Sequence, residues 1–272
     1  MVPQVPAAHA PGVADHALIA LMVLLPLGEA WWYWPPIVRA LADRVPGTRR
    51  RAYRNLIVLE WAFAAAVVAL WVPRHRAWAV LHVGAGRPAP TALGAAFVAG
   101  YLALVLVRVR ALVADPERLV RFAARQTKMD PLAPRTTDEQ RLFEVLAVTA
   151  GLCEEFLYRG FALWYFTSLA GSVAGFALAA VLFGLGHLYL GRMHVVRTAI
   201  VGAVFGLLVT GTGSLWLAIV LHAAMDLIGG AVGGRAFRAA EQHATAGATP
   251  PACRAPAPPA RADQGGNARD DR

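Results

Sequence analysis

The sequence predicts an all-α fold, a polytopic transmembrane helical bundle of about seven helices. Three observations predict it. Of the 272 residues, 57% are hydrophobic and only 16% are charged, where a soluble domain carries nearer a quarter. The apolar residues fall in long runs separated by short polar segments. The arginines gather in those segments, as they do in the cytoplasmic loops of membrane proteins.

The runs that suit a bilayer core are Ala17–Trp34, Leu56–Val72, Ala92–Val107, Leu142–Phe166, Val173–Tyr189, Thr198–Thr210 and Leu215–Val232. Aromatic residues mark several ends, among them Trp31, Trp32, Tyr33, Trp34, Trp71, Trp164 and Tyr165, in the manner of interfacial belts. No Lys or Arg precedes the first run and no small-residue cleavage site follows it, so it reads as a retained helix and not a signal peptide.

Orientation follows from the loops. Arg39, Arg44, Arg49, Arg50, Arg51 and Arg54 lie between the first two runs. Arg108, Arg110, Arg118, Arg121, Arg125, Lys128, Arg135 and Arg141 lie between the third and fourth. Arg192 and Arg197 follow the fifth, and Arg235 and Arg238 follow the seventh. With seven helices these four segments share one side, which the positive-inside rule makes cytoplasmic, with the N-terminus outside. Arg74, Arg76 and Arg87 go against the rule and are outnumbered.

The net charge of +9 is thus a loop property, without the aromatic interleaving of a nucleic-acid surface, and nucleic acid is excluded as a partner. Cys153 in an apolar run and Cys253 in a polar tail form neither a disulfide framework nor a Cys-based zinc site. Cys153 reads as packing. Three regions result: N-terminal helices and a basic loop (1–141), a helical core (142–234) and a cytoplasmic tail (235–272). The tail is rich in Ala, Pro, Gly and Arg from Ala239 onward and is expected to be disordered. Asp115–Glu139 is either an amphipathic surface helix or a solvated linker. Gly202 and Gly206 form a GxxxG suited to close helix packing.

Function is carried by polar residues at membrane depth. A charge at a helix centre costs about 2.5–3.5 kcal/mol on insertion scales. The fourth run nevertheless holds Glu154, Glu155 and Arg159, in CEEFLYRG. Arg159 is four residues after Glu155, so the two share a face and can pair. Glu154 points about 140° away from Arg159 and is the less neutralised carboxylate, suited to general-base work. The fifth run places Phe183 and His187 four apart in FGLGH. The seventh places His222 and Asp226 four apart in HAAMD. Asp226 can accept from one imidazole nitrogen of His222 and free the other for a metal, a water or an oxyanion. His9, His16, His75, His82, His194 and His243 lie at termini or helix ends and read as surface residues, His194 being a spare ligand candidate.

EEFLYR, FGLGH and HAAMD, in this order on separate apolar helices, fit EExxxR, FxxxH and HxxxN/D. Together with GTGSLWLAIVLHA and the lead-in PRTTDEQRLFEVLAVTAGLCEEFLYRG, they resemble the CPBP family over Pro134–Ile228. That family includes the type II CAAX prenyl endopeptidases and the bacteriocin-processing or self-immunity (Abi) proteins. The resemblance implies an intramembrane endopeptidase. In it Glu154 activates the attacking water beside His187, while His222 and Asp226 stabilise the oxyanion or bind metal. Glu155 and Arg159 would hold the site together and Phe183 would form a wall. This chain has Asp226 where the prenyl endopeptidases carry Asn.

If a divalent metal is bound, zinc fits best, with Glu154, His187 and His222 as ligands around an open position. The same groups without metal could serve as base and oxyanion donors. The partners implied are the bilayer and a peptide or protein substrate in or at the membrane, either plain or prenyl- or lipid-modified. The location implied is an integral membrane protein of the plasma (inner) membrane if the host is bacterial, its site opening to the cytoplasm. Two other classes compete: a non-catalytic scaffold or bacteriocin self-immunity protein of the same fold, and a proton- or metal-coupled transporter. An intact motif set disfavours the first, and the absence of an internal repeat the second.

Overall fold

The computed structural model describes residues 10–129 and 132–247. Among the described residues nine α-helices follow one another: α1 (Val13–Gly28), α2 (Trp34–Ala42), α3 (Thr48–Trp71), α4 (Pro88–Val113), α5 (Pro116–Met129), α6 (Thr137–Glu154), α7 (Leu163–Leu185), α8 (Arg192–Thr212) and α9 (Trp216–Gly247). Two stretches of wider, π-helical turn join neighbours without a break: Glu29–Tyr33 between α1 and α2, and Glu155–Ala162 between α6 and α7.

Among the described residues six helical spans are long and apolar enough to cross a membrane: Val13–Ala42, Thr48–Arg74, Pro88–Val113, Thr137–Leu185, Arg192–Thr212 and Trp216–Thr245. The expected seven runs and these six spans describe the same chain, because Thr137–Leu185 is folded back on itself. Gly171, at φ 78° and ψ 171°, occupies a backbone region open in practice only to glycine. The chain reverses there. Tyr158 consequently meets Phe183 edge-on at 5.1 Å between ring centroids, about a dozen residues either side of the turn.

The long double helix forms the middle of the bundle. Its first arm packs against α3 and α9 and its second against α8 and α1, while α4 covers α8 and α9. The main apolar cluster joins Leu18, Met22, Val67, Trp71, Leu157, Phe161, Trp164 and Leu182. Gly202 and Gly206 of the GxxxG lie against Phe183 and Phe176 of α7, which is the close packing their spacing suggests.

The basic segments meet at one end. Tyr53 donates to the carbonyl of Leu132, Arg49 lies 3.8 Å from Glu139, and Trp34 stacks on Tyr189 at 4.2 Å. Arg135 sits over the Phe237 ring there. Between Asp115 and Glu139, α5 is amphipathic and buries Leu119 and Ala123 against Ala236 of α9.

Two sequence boundaries move. The fourth helix starts at Thr137, not Leu142, because Thr136 and Glu139 make a capping box in which each side chain bonds the other's backbone N–H. The seventh continues to Gly247, so the tail expected to be disordered from Ala239 is helical at first, held in part by α5. The rest of the tail, 248–272, lies outside the described residues.

At the opposite end, the arginines that violated the positive-inside count have partners. Arg76 makes a bidentate pair with Asp15, at 2.9 and 2.7 Å, and lies over the rings of Trp71 and Trp164. Arg87 donates to the carbonyls of Thr210 and Gly211, and Arg74 to that of Leu70. The Arg76–Asp15 pair is almost wholly buried. Arg76→Ala therefore strands Asp15, and we expect a loss of about 3–5 kcal/mol of stability. Thermal unfolding in detergent checks this. A second change, Asp15→Leu in the Arg76→Ala background, should restore most of the loss, since removing both charges is far less costly than removing one.

Candidate active site

The six polar residues singled out in the sequence come together. At the α6–α7 junction Glu155 is fully buried and is the hub. Its Oε1 accepts from Arg159 at 2.9 Å and from His222 Nδ1 at 2.8 Å. The guanidinium of Arg159 lies 3.9 Å from the centre of the Phe183 ring and 5.4 Å from that of Phe205. Phe183 also meets the rings of His187 and His222, so it forms the wall the sequence suggested.

This arrangement corrects the expected partner of His222. An ionised carboxylate only accepts, so Nδ1 donates to Glu155 and not to Asp226. Asp226 stands 3.7 Å from Nε2, and Glu154 stands 3.9 Å from the same nitrogen. Sequence spacing missed the Glu155–His222 link because it spans two helices. The link needs α6 and α9 to touch closely, which they do where Gly151 faces Ala223.

Glu154 differs from its neighbour in the way that matters for chemistry. Its side chain is 17% exposed against 0% for Glu155. Its Oε2, like that of Glu155, is buried without a hydrogen-bond partner, but Glu155 has its Oε1 held by two donors and Glu154 has no such anchor. A cavity of about 250 Å³ lies in front of it, lined among others by Glu60, Tyr158, His187, His222 and Asp226. His187 Nδ1 donates to the Phe183 carbonyl at 3.1 Å, which in the neutral ring leaves the lone pair on Nε2.

The fold explains how Glu154, inside the first arm of the hairpin, and His187, at the end of the second, come to the same level. Both lie at nearly equal chain distance from the Gly171 turn, so the hairpin brings them level. The first arm simply extends farther, toward the basic end, than the second.

His9 lies outside the described residues, and the other described histidines stay outside the site. His16 shares a 2.6 Å hydrogen bond with Tyr165 at the far end. His82 is half-buried, and burial lowers its pKa from the ordinary histidine value. His194 does not line the cavity. Cys153 is buried among apolar residues, with its thiol free.

The proposed metal set does not assemble. Among the described residues no three His, Cys, Asp or Glu side chains converge in a way that could hold a metal ion. Glu154 and His222 are near each other, and each histidine has its Nδ1 committed to a protein oxygen, which leaves Nε2 as the nitrogen a metal would use. Glu154, His187 and His222 nevertheless do not converge on one point as arranged, and no step is derived through a metal.

Sequence reasoning missed one carboxylate. Glu60 of α3 lines this cavity, and with Glu29 and Glu154 it also lines a smaller adjoining one of about 90 Å³. The signal was available: Glu29 and Glu60 are lone acids inside the first two apolar runs, which is the criterion that singled out Glu154.

Fold and site together define a multi-pass α-helical membrane protein with an ionisable cluster built inside the bundle. The family model described as Type II CAAX prenyl endopeptidase Rce1-like matches residues 141–228, about a third of the chain, and this match supports the likeness to the CPBP family over that stretch. All six motif residues fall within the match, whereas Glu60 does not. No curated protein and no solved structure matches the chain.

Proposed function

We propose that the protein is an intramembrane endopeptidase that hydrolyses a peptide bond of a membrane-associated protein or of a prenyl- or lipid-modified peptide. The observation that carries this reading is the shared cavity, onto which Glu154, His187 and His222 open from three helices at the basic end of the bundle. The basic end faces the cytoplasm under the positive-inside rule, and in a bacterial host the membrane is the inner one.

The roles follow from the partners. Glu154, with an unpartnered carboxylate oxygen in the cavity, takes a proton from water as that water attacks the scissile carbonyl. His187 borders the same space and orients the water. His222, gripped by Glu155 through Nδ1, turns Nε2 toward the cavity; as an imidazolium among the carboxylates it carries an N–H on both nitrogens, and the one on Nε2 stabilises the developing oxyanion. Arg159 fixes Glu155, and Glu155 fixes His222. A separate apolar groove of about 620 Å³, bordered by Trp61, Trp78, Phe156 and Trp216 on the other side of α6, has the chemistry of a lipid-chain site.

The test is mass-spectrometric mapping of new peptide ends in host membranes, comparing cells that express wild-type protein with cells that express Glu154→Gln at matched levels. Ends present only with wild type establish proteolysis and name the substrate. If no ends differ while the variant rescues a deletion phenotype, the scaffold or immunity reading replaces this one. Because no step runs through a metal, a zinc chelator should leave the cleavage rate within about twofold, whereas a resident catalytic zinc would make activity fall and return on zinc addition.

A further inference from the structure

The cavity holds a carboxyl group that the mechanism above leaves idle. Glu60 comes from α3, across the cavity from the α6–α7 junction, and both cavities that it lines also contain Glu154 and Tyr158. Its surroundings on the α3 side are Leu56, Leu59 and Phe63, which offer no cation and no hydrogen bond. Its Oε2 is buried and has no hydrogen-bond partner, as is true of the Oε2 atoms of Glu154 and Glu155, but of the three only Glu155 has its other oxygen held by protein donors.

A carboxyl placed in apolar surroundings without a partner costs stability, so a purely structural role should have supplied one. The other acids near the site are engaged. Glu155 serves Arg159 and His222, and Asp226 is the most exposed of the group, its side chain 40% accessible. Glu60 and Glu154 are the two carboxyls that open on both cavities, Glu29 joining them only at the smaller one. Facing carboxylates repel, and one proton between them removes the repulsion.

We propose that Glu60 is a second catalytic residue, the general acid that protonates the departing amine, so that cleavage runs on a Glu60/Glu154 carboxyl pair. This rests on the endopeptidase reading. At the start of a cycle Glu154 is ionised and Glu60 carries a proton. Water adds to the scissile carbonyl carbon as Glu154 takes one water proton, giving a tetrahedral oxyanion. The carbonyl re-forms as the C–N bond breaks, and the Glu60 proton passes to the leaving nitrogen. Glu154 is then protonated and Glu60 ionised, and transfer of that proton through cavity water resets the pair. One water is consumed, and one acid and one amine are released.

An amide nitrogen must be protonated to leave, whereas a thiolate leaves without a proton. That difference separates an acid from a base or a structural residue. The probes are a synthetic peptide spanning the cleavage sequence mapped in host membranes, and the same peptide with a thioester at the scissile bond. The enzyme is the full chain in detergent or liposomes. Glu60→Gln is expected to lower kcat on the amide by about 10²-fold and to leave thioester hydrolysis near wild type. Glu154→Gln should lower both.

Thioester turnover also reports that the variant is folded. If Glu60→Gln does not accumulate, Glu60→Asp carries the same test, since it keeps the carboxyl but withdraws it from the leaving group. Equal loss on both probes, or unchanged amide cleavage, overturns the acid role while the endopeptidase reading stands. Wild-type protein that yields no mapped ends, or that cleaves neither probe built on the mapped sequence, overturns both.

Discussion

Replacing Glu154 by Gln is expected to lower peptide cleavage by about 10³-fold or more without changing the amount of inserted protein. The substitution is nearly isosteric and removes only the ability to take a proton. Its effect on folding should be small because Glu154 makes no close hydrogen bond. Its nearest charged partner, His222 Nε2, is 3.9 Å away, and its Oε2 has none. The neighbouring Glu155 provides the contrast. It anchors both Arg159 and His222, so Glu155→Gln disturbs the scaffold as well as the chemistry. Cleavage rate and detergent-extracted yield, measured for both variants, separate the two. A Glu154→Gln protein with full activity would remove Glu154 from the mechanism.

Arg159→Ala is expected to cost about 3–5 kcal/mol and to deplete folded protein from the membrane. Arg159 and Glu155 are 3% and 0% exposed, so neither charge has water to fall back on. Taking away the guanidinium strands Glu155 in the bundle. It also removes the cation from the Phe183 face, which it approaches at 3.9 Å, and opens space beside Gly202. Arg159→Lys keeps the charge but not the flat group, and should retain part of the stability. Unfolding temperature and yield check the series. Normal yield and activity in Arg159→Ala would show that the bridge is dispensable.

Much of the site was legible because membrane insertion penalises charge so heavily. Glu154, Glu155, Arg159, His187, His222 and Asp226 each stand out against an apolar background, and helical periodicity correctly paired Glu155 with Arg159. Periodicity failed at His222. Its partner lies on another helix, and the i,i+4 neighbour Asp226 drew attention in its place. Glu60 was equally visible as a lone acid but had no companion on its own helix, so nothing local linked it to the others. Arg76 was counted as an exception to a loop rule. Its bidentate partner Asp15 is 61 residues away, a contact that no spacing rule encodes.

The sequence by itself determined the helical membrane architecture, the end at which the basic segments gather and the polar residues that need a reason to be buried. Hydropathy and insertion cost act residue by residue, so one dimension suffices for them. The tertiary structure decided which carboxylate grips His222, that Glu154 is the one left facing open space, and that Glu60 shares that space. Those outcomes depend on the reversal at Gly171 and on the close approach of α6 to α9, where partners distant in the chain compete for the same hydrogen bonds.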